Sequence, residues 1–116
     1  MARIYVAHSY GRRHGLSPKE CELNAYKSIN YGVKLIEKGH NPFIPNLYHF
    51  VWRAMGDNSP PELTWLDMVK EWLRFCDAIL IAEMPPYPNS GVAEELRLAE
   101  ALGLKIYRHI DEVPDL

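Results

Sequence analysis

Four short apolar runs separated by helix-patterned stretches constrain this chain more than any other feature. Arg3 to His8 is rich in β-branched and aromatic residues, Asn41 to Pro45 carries two prolines, Asp77 to Ala82 is apolar on both faces, and Leu104 to Tyr107 closes the series. Such runs read as strands. The prolines hold the second to a brief or edge position, and the third suits the middle of a parallel sheet. Between them, Ser9 to Lys19 reads as a loop. A helix is expected over Glu22 to Lys38 with Tyr26, Ile29, Val33 and Ile36 on its buried face and Gly39 as the stop. Residues 46 to 58 fit either a loop or an irregular helix. Ser59-Pro60-Pro61-Glu62 reads as a helix start with Ser59 as N-cap, leading into a stripe of Trp65, Leu66, Val69, Trp72, Leu73 and Cys76. A last helix is expected from Ser90 to Leu102, ended by Gly103, with a short acidic tail from Ile110. Strand and helix alternate throughout, which predicts a mostly parallel α/β sheet with helices on both faces.

The 116 residues suffice for one domain, 1–116, with one real core. No apolar stretch approaches the ~20 residues of a membrane span, and Met1 runs almost directly into the first strand, so neither a membrane anchor nor a signal peptide is expected. A net charge of −2 argues against a nucleic-acid binder. Cys21 and Cys76 are far apart and form no CxxC, which favours reduced thiols and a cytoplasmic setting. The five histidines show no HxxxH or HExxH spacing, so no metal is expected. GxxxxGK[ST], GxGxxG after the first strand, GxSxG and the paired acids of a receiver domain are all absent, and no cofactor is expected.

Open parallel sheets bind ligands beyond the carboxyl ends of their strands. The segments Ala7 to Gly15, Asn46 to His49 and Glu83 to Gly91 should meet there. The most informative is Asn89-Ser90-Gly91-Val92-Ala93-Glu94-Glu95, a helix start whose free N–H groups suit an anion and whose glycine permits close approach. At ~100° per residue Glu95 shares a face with Val92 and Ala99, the face that should be buried, whereas Glu94 is turned toward solvent. A carboxylate placed there serves as nucleophile or general base. Ser9, Gly11, Arg12 and Arg13 form a basic first loop that either holds a phosphate or is simply solvated. His8 and Tyr5 either line the site or pack in the core.

Ile4-Tyr5-Val6-Ala7, Cys76-Asp77-Ala78-Ile79, Ser90-Gly91-Val92-x-x-Glu95-Leu96-x-x-Ala99 and Leu102-Gly103-x-x-Ile106, taken in order, resemble the nucleoside 2-deoxyribosyltransferase superfamily, which includes the 2′-deoxynucleoside 5′-monophosphate N-glycosidases. The resemblance implies a flavodoxin-like or Rossmann-like doubly wound fold of four to five strands. It makes Glu95 the nucleophile at the anomeric carbon and Tyr5 its orienting partner. His8, Ser9, Gly11, Arg12, Arg13, Ser90 and Gly91 would hold a 5′-phosphate, with Asn46, His49 and Asn89 as further substrate contacts. The family often has an aspartate where this chain has Val69; Asp67 is the nearest candidate, although a two-residue offset turns it ~200° around the helix. The implied substrate is a small nucleotide or nucleoside and the implied reaction N-glycosidic cleavage, by hydrolysis first and base exchange second. A non-catalytic nucleotide-binding or sensing module is the competing reading. So small a chain is also expected to form a homodimer or larger assembly, with Tyr48, Trp52 or the Trp65/Trp72 helix near a neighbour's site.

Overall fold

The strands form at the apolar runs: β1 (Arg3–Ala7), β2 (Asn41–Phe43), β3 (Ala78–Ile81) and β4 (Lys105–Tyr107). In the computed structural model, which describes residues 1–116, they make one sheet of order β2-β1-β3-β4 with every pair parallel. Four helices connect them: α1 (Pro18–Glu37), α2 (Tyr48–Met55), α3 (Glu62–Leu73) and α4 (Gly91–Leu102). The arrangement is the doubly wound α/β fold. Side chains alternate across β1 and so supply two cores. Tyr5 and Ala7 face α3 and α4 with Ile79, Ile81, Leu73 and Val92, while Ile4 and Val6 face α1 and the tail with Leu35, Leu80 and Val113. Chain direction away from the centre reverses between β1 and β3, and a crevice opens at that switch point above the carboxyl ends of the strands.

The opposite end is closed by the tail. His40 Nδ1 accepts from the Ala2 amide at 3.2 Å, its Nε2 reaches the Pro114 carbonyl at 2.7 Å, and the Leu116 amide donates to Lys38. Asp77 belongs to this end too. It takes the Arg3 amide at 2.8 Å and the Arg3 guanidinium at 3.3 Å, tying the start of β1 to the start of β3.

Two expectations fail in α1. The helix begins at Pro18, because Ser17 and Glu20 form a reciprocal capping box, so the first loop is shorter than Ser9 to Lys19. Its buried face is also different. Tyr26, Val33 and Ile36 are 52%, 47% and 61% exposed, while Cys21, Asn24, Ala25, Ser28, Gly32 and Leu35 face the sheet. Small side chains let the helix lie close to β2; a β-carbon at position 32 would collide with Ile44. Nor does Ser59 cap α3. Pro61 occupies the N-cap position, and the Ser59 hydroxyl instead accepts the Trp65 indole N–H at 3.2 Å. The undecided stretch 46 to 58 is mostly helical, with α2 between two single 3₁₀ turns.

Candidate active site

The crevice holds a cavity of 320 Å³, within the range of about 300–1,000 Å³ for small-molecule sites. The loops after β1, β2 and β3 all contribute, and α2 and the first turns of α3 roof it.

Glu95 forms the floor. It lies one turn into α4, whose N-cap Ser90 accepts the Ala93 amide at 3.1 Å and leaves the Gly91 end of the helix open to the cavity. The 5% exposure of Glu95 is unusual for an unpaired carboxylate. Its one side-chain partner is Tyr5, whose hydroxyl donates to Oε2 from below. Burial pushes the Glu95 carboxyl up to about 8; the Tyr5 bond and Lys70 oppose that rise, and the neighbouring Glu94 charge adds to it. Burial and the Glu95 charge raise Tyr5 well above the ordinary tyrosine range, so Tyr5 stays a neutral donor.

The first loop is clipped in place by the polar face of α1. Asn24 Nδ2 donates to the Tyr10 carbonyl at 3.0 Å, while Asn46 Nδ2 reaches the Ser9 carbonyl at 3.1 Å and Ser28 Oγ at 2.9 Å. Gly11 turns the chain at φ 96°, a left-handed conformation that favours glycine, and a β-carbon there would strike Leu16. Ser9 Oγ donates to Glu83 Oε1 at 2.6 Å and His8 Nε2 lies 3.4 Å from Glu83 Oε2, so the loops after β1 and β3 are joined across the switch point. Arg13 donates to the Asn89 carbonyl beside the α4 N-terminus. The Arg12 guanidinium carbon lies over Trp52, 4.1 Å from the ring centre. His49 is buried in the wall, with Nδ1 2.7 Å from the Tyr10 hydroxyl and Nε2 3.7 Å from Glu22 Oε1. Burial lowers its pKa against the pull of Glu22.

The cavity thus brings His8, Ser9, Gly11, Arg12, Arg13, Asn46, His49, Ser90, Gly91 and Glu95 together. Tyr5 lies beneath the lining and acts only through Glu95. Two candidates are not brought in. Asp67 projects from the outer face of α3, with a side chain 77% exposed and paired to Lys70 at 3.7 Å; the ~200° offset from position 69 places it there. Val69 itself is in the wall, with no acid at that point. Asn89 offers its backbone carbonyl, not its side chain. Tyr48, Trp52 and Trp65, expected near a neighbour's site, line the cavity of their own chain.

Several cavity residues were not singled out for the site. Glu83 lies two residues beyond β3, at the head of the segment expected at the site, and could have been found from that position alone. Glu62, expected only as part of a helix start, lines the roof, and His14 stacks on Tyr87 at 4.1 Å. No group of three or more His, Cys, Asp or Glu is placed to hold a metal ion. Burial raises both cysteine thiols to about 11, which makes them poor nucleophiles. No helix is long and apolar enough to cross a membrane.

Neither models of known protein families nor curated proteins match the chain. Among solved structures, a 2-desoxiribosyltransferase from Leishmania mexicana is similar, with a TM-score of 0.57 and 24% identity over 91% of this chain. The chain spans 62% of the length of that protein. The likeness bears on the fold: the doubly wound sheet is one that a deoxyribosyltransferase also uses.

Proposed function

We propose that the chain cleaves the N-glycosidic bond of a nucleoside or 2′-deoxynucleoside 5′-monophosphate, with Glu95 as nucleophile. One observation carries this reading: a buried carboxylate, oriented by a buried tyrosine, on the floor of a cavity that also receives a helix N-terminus and a basic loop. An ionised Glu95 oxygen attacks C1′ as the C1′–N bond breaks. The base leaves with the electron pair and takes up a proton. Water then attacks C1′, loses a proton and frees the Glu95 carboxylate; a second base in place of water gives exchange. The transition states are oxocarbenium-like, as in retaining glycoside hydrolysis. Tyr5 holds Glu95 in position throughout. Arg13, Ser90 and the Gly91 amide suit the 5′-phosphate, since free helix N–H groups and a guanidinium both favour it.

A non-catalytic nucleotide-binding module is the second reading. It is favoured by Val69, which puts an apolar wall where the resembled family often has an aspartate.

Release of free base from a panel of ribo- and deoxyribonucleoside monophosphates, resolved chromatographically, separates the two. Arg13→Ala is expected to raise KM for monophosphates about tenfold and to leave the corresponding nucleosides unchanged. Equal effects on both would remove the phosphate from the reading. Binding without base release from any member of the panel would favour the module.

Self-association belongs to the same proposal. Trp72 and Phe75 remain 49% and 63% exposed at the end of α3, an apolar surface suited to a second copy. Sedimentation at micromolar concentration is expected to show a dimer or larger species, and a fully active monomer would refute it.

A further inference from the structure

Glu62 is the first residue of α3, and the cleavage chemistry gives it no task. Its carboxylate turns into the cavity, Oε2 is shut off from solvent, and no hydrogen bond reaches it. Burial raises its pKa while the charges of Arg12 and Arg13 pull it back toward the ionised form. A buried acceptor without a partner is costly, and a ligand that supplies N–H donors removes that cost. Arg12 shares this part of the cavity. Placed over Trp52, its charge is felt at the Glu62 carboxylate, yet no ion pair joins the two. The cavity therefore offers a carboxylate without a hydrogen-bond partner and a guanidinium, both lining it along with the Trp52 ring.

Seven residues separate Glu62 from Val69, so both lie on the same helix face about two turns, or ~10 Å, apart. Val69 packs with Val92 in the core beneath the cavity, one turn of α4 from Glu95. Glu62 thus stands about two helical turns along α3 from the part of the wall that packs on the nucleophile's helix, and is free to meet a different part of the ligand.

We propose that Glu62 and Arg12 form a base-recognition subsite for guanine. Among the four DNA bases only guanine presents two adjacent N–H donors on its pairing edge, N1–H and the 2-amino group, which match two carboxylate oxygens; its O6 acceptor lies beside them for Arg12. Adenine, cytosine and thymine each offer the carboxylate one such donor. The subsite deepens the nucleotide reading above and rests on it.

The test uses the full chain in two forms. Binding of dGMP, dIMP, dAMP, dCMP and dTMP is measured calorimetrically in a Glu95→Gln background, and base release is measured with Glu95 intact. dGMP is expected to lead, with dIMP, which lacks the 2-amino group, about tenfold weaker. Glu62→Gln is expected to weaken dGMP about 30-fold and dAMP less than threefold, and Glu62→Asp to restore part of the guanine preference. A uniform loss across the panel, or a wild-type preference for any other base, overturns the subsite. Base release that is indifferent to Glu62 overturns it and leaves the cleavage reading standing. Guanine-selective binding that depends on Glu62, without base release, supports the subsite and defeats the cleavage reading. A chain that binds no member of the panel refutes both.

Discussion

Glu95→Gln is expected to lower base release by about 10⁴-fold or more and, at the same time, to make the protein harder to unfold at alkaline pH. The first effect follows from removing the attacking oxygen while keeping the shape of the side chain. The second follows from proton linkage. The folded state holds its Glu95 proton up to about pH 8, whereas the unfolded chain releases it near the ordinary value of 4.5. Between those limits the folded state binds more protons than the unfolded one, so stability falls as pH rises. By pH 8 burying this group costs on the order of a few kcal/mol, and glutamine does not incur that cost. A melting temperature about 10–20 °C above wild type at pH 8, with little difference at pH 5, is the expected pattern. An inactive variant with no pH-dependent gain would mean that Glu95 is not held protonated. A variant within tenfold of wild-type activity would remove it as nucleophile.

Tyr5→Phe is expected to have the next largest effect, about 10²-fold on kcat/KM at pH 7, through protonation state and position together. Loss of the hydroxyl deletes the one hydrogen bond that holds the Glu95 pKa down against its burial. In the wild type kcat/KM should rise about tenfold per pH unit up to pH 8 and then level, as the free site ionises. In the variant that rising limb moves to higher pH, so part of the lost activity returns at pH 9. A purely structural role for Tyr5 would lower the plateau and leave the limb in place. Circular dichroism separates either result from misfolding, because a phenylalanine ring keeps the packing on Phe43, whose centroid lies 5.5 Å from that of Tyr5.

Much of the frame could be read from local pattern, and the errors share one cause. The runs at β1 and β3 are apolar on both faces and bury on both. The Ser90 to Gly103 helix carries its own start and stop, and Glu95 falls on its buried face by periodicity alone. In α1 the same periodicity pointed to the wrong face. A helix that approaches a sheet closely buries Ser28, Gly32 and Ala25, which carry little hydrophobic signal, and leaves Tyr26 and Ile36 outside. The start signals were ambiguous as well: Ser17-Pro18-Lys19-Glu20 caps a helix, whereas in Ser59-Pro60-Pro61-Glu62 the second proline keeps residue 60 out of helical conformation, and the serine pairs with the Trp65 indole instead. The roof was the least legible part. Glu62 and Trp52 reach the cavity only through the path of the chain between β2 and α3, and no local spacing records that path.

The stack of Arg12 on Trp52 gives the protein an optical handle on its own occupancy. Two of the three tryptophans, Trp52 and Trp65, line the cavity, while Trp72 lies outside it against Phe43. Indole emission responds to a charge held against the ring. A ligand that draws the guanidinium away from Trp52 therefore changes the intensity and colour of that fluorophore, and Trp72 supplies an internal reference signal. Filling of the cavity can be followed in unlabelled protein, in real time and before any bond is cut.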